Sequence, residues 1–487
     1  MTSLTWPWTR ARSVEPVEAE AAQHRWTTAV LYGGVFVWAV GFSAMAADRH
    51  RAFISHRYDL GNMVQAVWST AHGRFLENTA TDGTQMSRLG THVDPFLALI
   101  ASLWWLWPSP ELLTTVQASA IAIGALPVFW LARKHTGDAR PGLCLALGYL
   151  LLPAVQWGAL NDVHAVTFAI PLLLFCIWFL DEDRPVPAVL FGVLAASTKE
   201  DIPMVLAGIA IWYAFRHRRW LLGLTLAGLS VAWTMAAFYV VIPHFSGGPS
   251  PFYRRLESVG GSPRGVATML VTDPATIWHE VTTDGDLRYV AALLLPLLLL
   301  PLLEPLLVLA AAPVLGLSLL SVFGPMASIQ YQYASAPVAC FVAAAAIGTR
   351  RLPRRTAAFA LVGVLVAATI AASAGPLSTI GRYAATARPT SAAVDGADRA
   401  MALVPPDAAV SASNRLGAHL SERRRIFIFP TVAEADWIII DQEDSITEAA
   451  TQAAYRSAVA AILVDPAWEH VFDEGGVHVL HRRGAHP

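Results

Sequence analysis

Long apolar runs separated by short polar connections dominate the chain, and their lengths predict membrane-spanning helices. The first run, 27–47, has about the length that crosses a bilayer. The further runs lie at 95–107, 110–132, 141–157, 165–180, 186–198, 202–215, 220–243, 289–303, 305–323, 332–348 and 356–375. This pattern predicts a polytopic α-helical membrane protein with about 11 crossings, in a range of about 10–13.

Basic residues cluster in three of the connections and predict the orientation. The clusters are Arg133, Lys134 and Arg140; Arg216, Arg218 and Arg219; and Arg350, Arg351, Arg354 and Arg355. The positive-inside rule assigns all three to the cytoplasm, together with the N-terminal segment 1–26, in a multi-pass protein of the plasma membrane. This arrangement requires a single net crossing between Asp94 and Arg133. The 95–107 run is therefore expected to be re-entrant or strongly tilted.

The chain divides into a membrane part and a C-terminal part. The transmembrane domain is expected at 27–375, with large outer loops at 48–94 and 244–288. Beyond it, short β-like runs alternate with one amphipathic helix at 446–461. The strands are expected at 408–413, 425–429, 436–440 and 477–481. Residues 376–487 therefore predict a small extracytoplasmic α/β domain, which either caps the membrane part or contributes to substrate binding.

Composition narrows the class of protein. Hydrophobic residues make up 55% of the chain and charged residues only 14%, with a mean hydropathy of +0.47. Soluble domains carry about 25% charged residues, so an ordinary soluble enzyme is excluded. The net charge of −2 and the lack of a long basic tract exclude nucleic acid as a partner. Cys144, Cys176 and Cys340 lie in apolar stretches without metal-ligand spacing and are expected to be buried hydrophobic residues.

Ionisable residues at the ends of apolar helices are the candidate functional groups, because such residues are costly in a membrane and usually functional. Most collect on the predicted outer side. Basic residues of the first outer loop, such as Arg51 and Arg57, suit an anion such as a phosphate or lie against anionic headgroups. Two acid and histidine pairs follow, His92 with Asp94 and Asp162 with His164. A metal site needs more ligands than such a pair, so no cofactor is expected, and a divalent metal is the less favoured alternative.

Two further outer segments are candidates. Only Lys134 and Lys199 are lysines among the 34 basic residues, so Lys199 suggests a need for a compact ammonium group. Lys199, Glu200 and Asp201 form either a hairpin turn at the outer surface or a charged patch within the membrane. Gln330 and Tyr331 belong either to an interfacial aromatic belt or to a contact with a sugar or headgroup.

Several of these segments resemble the prokaryotic membrane proteins grouped as the domain of unknown function 2079 family. The segments are 58–61, 65–74, 89–92, 161–164, 199–201, 410–413 and 419–421, so the resemblance extends from about residue 55 to the end. The layout of that family is similar to the C-type (GT-C) glycosyltransferases, which use polyprenyl-phosphate sugars. In those enzymes a carboxylate in the first outer loop is catalytic, and Asp59 is the matching position. Here Asp59 has no acidic neighbour, since Tyr58 precedes it and Leu60 follows it.

The resemblance implies a GT-C-like membrane glycosyltransferase that transfers a sugar from a polyprenyl-phosphate donor to an extracytoplasmic acceptor. A single carboxylate that acts as base, with attack opposite the leaving group, predicts inversion at the anomeric carbon. Asp59 is the expected base, and Glu200 is a second candidate catalytic residue. The residues expected to bind substrate are Arg51, Arg57, Gln65, His92, Asp94, Asp162, His164, Lys199, Asp201, Gln330 and Tyr331.

Two other functions fit the same sequence. A lipid or polar-solute transporter or flippase would also use intramembrane charges such as Glu304 and helices broken by proline. A cell-envelope scaffold would use mainly the C-terminal domain. A cavity open only to the outside and to lipid favours the enzyme, whereas a polar path through to the cytoplasmic side favours transport.

Overall fold

Helices form most of the chain up to residue 374 in the computed structural model, which describes residues 15–376, 378, 391–444 and 451–484. The first ten are α1 (Glu15–Arg51), α2 (Asn62–Ala71), α3 (Phe96–Trp104), α4 (Pro110–Ile123), α5 (Ala125–Thr136), α6 (Ala139–Leu151), α7 (Pro153–Leu160), α8 (Ala169–Asp181), α9 (Pro185–Ala196) and α10 (Ile202–His217). The next nine are α11 (Trp220–Ala236), α12 (Ile242–Ser246), α13 (Pro263–Thr272), α14 (Pro274–Glu280), α15 (Asp284–Leu294), α16 (Pro305–Ala310), α17 (Ala312–Leu319), α18 (Ser335–Gly348) and α19 (Arg354–Ala374).

Length and hydropathy confirm a multi-pass helical membrane protein. Five described helices are long and apolar enough to cross a bilayer: Arg25–Arg51, Pro110–Thr136, Trp220–Ser246, Gln332–Arg351 and Arg354–Ser373. The pair α6 and α7, bent by 48°, makes a sixth if it counts as one span. Shorter apolar helices cover Ala165–Asp181, Pro185–Ala196 and Ile202–His217. The number of about 11 crossings stays a prediction.

The helices pack around α18, every residue of which is buried. Helices α5, α8 and α16 contact α18, while α1 packs against α4 and α6, and α10 against α11. The 95–107 run contains only the nine residues of α3, which packs on α2. Nine helical residues extend about 13 Å, which is too short to cross a bilayer core of about 30 Å.

The three basic connections lie together at one end of the bundle. Lys134 and Arg216 both reach the Asp181 carboxylate, at 2.7 and 3.6 Å. Arg350 pairs with Glu304 at 2.8 Å, and the charge of Arg216 also acts on Arg350. We call this the basic end, defined by Lys134, Asp181, Arg216, Glu304 and Arg350. The positive-inside rule predicts that it faces the cytoplasm.

The C-terminal part contains a five-stranded sheet. Its strands are β3 (Val410–Ala412), β4 (Ile426–Ile428), β5 (Trp437–Asp441), β6 (Trp468–Glu474) and β7 (Val477–Arg482), in the order β4-β3-β5-β7-β6. Strand β3 runs parallel to β4 and β5, whereas β7 is antiparallel to β5 and β6. The helices are α20 (Ser391–Ala402), α21 (Asn414–His419) and α22 (Gln452–Leu463).

Four of these strands lie where the sequence predicts them, and β6 was missed. Side chains of β6 are mostly exposed, so the strand lacks the alternation that reveals a half-buried strand. The helix predicted at 446–461 corresponds to α22, although 446–450 lie outside the described residues. The domain boundaries and the extracytoplasmic side stay predictions.

The first predicted outer loop joins the C-terminal sheet to the membrane part. It contains a short hairpin of β1 (Glu77–Thr79) and β2 (Gln85–Ser87). Arg57 is fully buried and donates to the carbonyl oxygen of Ile426 at 3.3 Å, and Gln65 donates to that of Arg424 at 2.8 Å. These contacts fix the loop against β4.

Candidate functional site

Asp59 lies immediately after the first span, in a π-helical turn formed by Arg57–Gly61. Its Oδ1 accepts a hydrogen bond from His164 Nε2 at 2.9 Å. The Asp59 side chain is 42% exposed, whereas that of His164 is 9% exposed. His164 is therefore a buried residue that positions Asp59, and the Asp59 carboxylate is the group that a substrate can reach.

A second acid and histidine pair stands beside the first. The backbone N–H and Nδ1 of His56 donate to Asp162 Oδ2 at 3.1 and 3.0 Å. Asp162 has a φ of 50°, in the left-handed region that aspartate tolerates better than most residues. Its side chain is 7% exposed. This pair anchors the turn before Asp59 to the connection between α7 and α8.

Gln117 of α4 fixes that connection from inside the bundle. Its Nε2 donates to the carbonyl oxygens of Gly158 and Asp162, at 3.0 and 2.8 Å, while its Oε1 accepts from the backbone N–H of His164 at 3.0 Å. A buried amide that uses both of its ends holds His164 in one position. His164 therefore presents Nε2 to Asp59 from a rigid backbone.

The charges around Asp59 hold its carboxylate ionised. Burial raises the pKa of Asp59. The hydrogen bond and charge of His164, together with the charges of His56 and Arg88, lower it by more than burial raises it, so the net pKa is below the usual value for aspartate. Burial lowers the pKa of His56, and the hydrogen bond and charge of Asp162 raise it more, so the net pKa of His56 is raised.

His56, Asp59 and Asp162 also have the geometry to ligate a metal ion. Each offers one ligand atom, and the three atoms lie within 4.8 Å of one another. Two carboxylate oxygens and one imidazole nitrogen suit a divalent cation with open positions for substrate. The sequence pointed to no metal because it did not reveal that these residues meet.

A second cluster surrounds Glu200. Its two carboxylate oxygens accept from His92 Nδ1 and from the backbone N–H of Val93, each at 3.0 Å. Burial raises the pKa of Glu200, but the charge and hydrogen bond of His92 and the charge of Lys199 lower it to a net value below the usual range. The His92 ring stacks on Phe252, with 4.6 Å between centroids.

Lys199 and Asp94 complete this second cluster. Lys199 pairs with Asp201 in the turn between α9 and α10, and its ammonium lies 5.8 Å from the ring centre of Tyr333. Asp94 accepts from Arg88 Nε at 2.6 Å, and burial raises the pKa of Asp94 despite that charge. Lys199 therefore occupies a hairpin turn whose acidic residues are buried.

The two clusters are neighbours at one end of the bundle, which we call the site end, defined by Asp59, His164 and Glu200. The charge of Arg88 acts on both Asp59 and Asp94. The 3-10 turn Ala165–Phe168 directly follows His164, and its Val166 lines a small pocket together with Lys199. Helix α8 then runs from this turn to the basic end. Its 13 residues separate the two ends by about 20 Å.

The remaining candidate residues lie at three different places. Arg51 is 65% exposed at the end of α1 and pairs with Glu111 at 3.3 Å. Arg57 and Gln65 are fully buried and bond to each other at 2.6 Å beneath the C-terminal sheet. Gln330 and Tyr331 are exposed on the connection between α17 and α18.

Sequence reasoning missed His56, Gln117 and Arg88 as members of the site. His56 carried a signal, because it lies three residues before Asp59, a spacing that brings side chains together on a helical turn. Gln117 carried no such signal, since the residues that it contacts lie more than 40 positions further along the chain. Arg88 carried none either, because an arginine in a loop is common.

A protein-family model described as predicted membrane protein, DUF2079, matches residues 49–462. The chain belongs to this family. No curated protein matches this DUF2079 member. Among solved structures, its backbone is similar to the crystal structure of ArnT from Cupriavidus metallidurans bound to undecaprenyl phosphate. The match has 14% identity and a TM-score of 0.48, and covers 91% of this chain and 97% of that chain. A TM-score of 0.48 at 14% identity supports no conclusion about activity or ligand.

Proposed function

We propose that this protein is a membrane glycosyltransferase that moves a sugar from a polyprenyl-phosphate donor to an acceptor on the outer side. The single observation that carries the proposal is Asp59. It is an accessible carboxylate with a lowered pKa, supported by a buried histidine, immediately after the first span. The expectation of a lipid-linked donor comes from the family resemblance in the sequence.

One base is sufficient for this reaction. The acceptor hydroxyl oxygen attacks the anomeric carbon, and the bond between that carbon and the phosphate oxygen breaks. The phosphate leaves with the electron pair as a stable anion, so no general acid is needed. Asp59 takes the proton of the hydroxyl. Because its pKa is low, we expect the proton to move late, when the new carbon–oxygen bond has made the hydroxyl acidic.

The surrounding groups have separate roles in the proposal. His164 is a positioning residue that keeps the Asp59 carboxylate ionised and oriented. Arg51 is the exposed cation assigned to the donor phosphate, because Arg57 is engaged beneath the C-terminal sheet. Glu200 uses both of its carboxylate oxygens to hold His92 and Val93, which supports a positioning role.

The apolar centre of the bundle favours transfer over transport. Helix α18 is buried over its whole length and carries no charged residue. Glu304, which suggested a charged path, pairs with Arg350 and Arg351 at the basic end. A transporter would need polar groups along the path between the site end and the basic end.

The experiment compares Asp59→Asn with Asp82→Asn. Asp82 is an exposed carboxylate of the same outer loop that accepts hydrogen bonds from Thr84, and an asparagine oxygen can accept the same bonds. The two substitutions therefore remove the same charge from one loop. The assay measures release of polyprenyl phosphate from radiolabelled polyprenyl-phosphate glucose and polyprenyl-phosphate mannose in vesicles that contain the native acceptors. A general base contributes about 10²–10⁴-fold, so Asp59→Asn should lower the rate at least about 100-fold. Asp82→Asn should leave it within about two-fold.

Thermal unfolding of both variants in detergent provides the folding control. A folded Asp59→Asn protein that retains the wild-type rate would remove Asp59 from the mechanism. Vesicles of the wild-type protein that release no polyprenyl phosphate from either donor would count against the choice of substrate.

A further inference from the structure

A groove of about 580 Å³ opens at the basic end, and helix α8, about 20 Å long, separates it from the site end. Its walls come from the last turns of α5 and α8 and from the start of α9. They include Trp130, Arg133, Lys134, Trp178, Phe179 and Arg184. Nothing in the proposed transfer reaction uses this groove.

Three aromatic rings form one side of the groove. Trp130 and Trp178 lie 5.6 Å apart between ring centres, at an interplanar angle of 47°. Phe179 adds a third ring. Tryptophan concentrates at the headgroup level of a bilayer, because its ring is amphipathic. These rings therefore place the groove where lipid headgroups meet acyl chains.

Cations stand over these rings. The Arg184 guanidinium lies 5.3 Å from the ring centre of Phe179, and the Lys134 ammonium lies 5.8 Å from that of Trp178. Lys134 is already neutralised by Asp181 and Glu182. In the part of the chain that the structure describes, Arg184 contacts an aromatic ring rather than a carboxylate. Arg184 is thus the cation whose charge is available to a ligand.

The chemistry of the groove selects an amphiphilic anion. A free phosphate ion would use only the cations and would gain nothing from the aromatic side. A neutral lipid would use the rings and leave the charge of Arg184 without a counter-ion. A volume of about 580 Å³ lies within the usual range of about 300–1,000 Å³ for small-molecule sites.

We infer that this groove binds the headgroup of an anionic phospholipid. Its phosphodiester faces Arg184, and the first part of its acyl chains lies on Trp130, Trp178 and Phe179. The cytoplasmic leaflet is rich in anionic lipids, which fits the predicted orientation of the basic end. Basic pockets between helices on that side of a membrane are suited to such headgroups.

The test is native mass spectrometry of the full chain, titrated with phosphatidylglycerol or with diacylglycerol of the same acyl chains, which lacks the phosphodiester. Phosphatidylglycerol should bind at least about five-fold more tightly, since one cation near a membrane surface contributes about five-fold in affinity. Arg184→Ala should weaken phosphatidylglycerol binding about five-fold and leave diacylglycerol binding unchanged. Arg140→Ala is the matched control, because Arg140 is exposed at the same end of the bundle but does not line the groove.

Three results would overturn the inference. The first is equal affinity for the two lipids. The second is an equal loss in Arg184→Ala and Arg140→Ala, which indicates diffuse surface charge. The third is displacement of phosphatidylglycerol by glycerol phosphate at the same concentration, which indicates a site for a free phosphate. Both substitutions replace exposed side chains, and an unchanged melting temperature verifies the fold of each variant.

Discussion

Replacing Gly61 by alanine tests whether the turn that carries Asp59 is packed against the C-terminal part. Gly61 ends the π-helical turn and has a φ of −61°, so its backbone accepts any L-residue. A Cβ at this position would lie 2.6 Å from Ser421 Oγ, 2.9 Å from Arg57 Cδ and 3.3 Å from the Cα of Ala418. Ser421 and Ala418 belong to the C-terminal part. The added methyl group therefore pushes that part away from the turn.

The magnitude follows from two opposing contributions. Overpacking a close contact costs about 1–3 kcal/mol. Alanine in a helical conformation is more favourable than glycine by about 0.5–1 kcal/mol. Taking the middle of each range, we expect Gly61→Ala to destabilise the protein by about 1 kcal/mol. Gly33→Ala is the matched control, since Gly33 lies within α1 and a Cβ there would meet nothing within 4 Å.

Thermal unfolding in detergent and limited proteolysis measure the two variants side by side. Gly61→Ala should melt below the wild-type protein and expose the C-terminal part to protease, and it should also slow transfer, because Asp59 moves with the turn. Gly33→Ala should melt at or above the wild-type temperature. Equal melting temperatures and equal proteolysis of the two variants would refute the packing argument.

Three further predictions concern the ionisation of carboxylates and the need for metal. In His164→Phe the hydrogen bond that lowers the pKa of Asp59 is lost while burial continues to raise it, so the acidic limb of the pH–rate profile should move to higher pH; an unmoved limb would contradict this role. Burial, together with the charge of Glu111, raises the pKa of Glu422 from 4.5 to about 7. The free energy of unfolding therefore falls as pH rises from 4.5 to about 7, because ionisation of this buried carboxyl is unfavourable in the folded protein. Melting temperatures should show that Glu422→Gln stabilises the protein by about 1 kcal/mol at pH 8 but not at pH 4. Treatment with EDTA should leave the transfer rate within about two-fold, because a phosphate leaving group needs no Lewis acid; a loss restored by a divalent cation would assign the metal-ligating geometry of the site to catalysis.

The apolar pattern predicted the helical architecture, because a helix in a membrane must bury its backbone hydrogen bonds within a long apolar segment. The pattern did not predict which helix ends meet. Asp59 and His164 are 105 residues apart, and their contact depends on Gln117, a buried amide with no distinctive sequence signal. The two residues were each selected as candidates, but their pairing required the fold.

The sequence does not distinguish exposed from buried basic residues. Arg51 and Arg57 lie six positions apart in one loop and look equivalent in the sequence, yet one is exposed and the other is fully buried. The difference arises because Arg57 bonds to Ile426, 369 residues further along the chain. The groove at the basic end has the same origin, since Trp130 and Trp178 belong to different helices. The local sequence pattern cannot predict contacts between residues that lie far apart in the chain.

The stereochemistry of transfer tests the central claim most directly. Asp59 and Asp162 have ligand oxygens within 4.8 Å of each other, and a pair of carboxyl groups about 5–5.5 Å apart is typical of retaining glycosidases, in which one carboxylate is a nucleophile. Asp162, however, is 7% exposed and engaged by His56, whereas Asp59 is accessible. We therefore predict that nuclear magnetic resonance of the product formed from an anomerically pure polyprenyl-phosphate sugar will show inversion at the anomeric carbon. Retention of configuration would require a second, nucleophilic carboxylate and would contradict the assignment of Asp59 as the lone base.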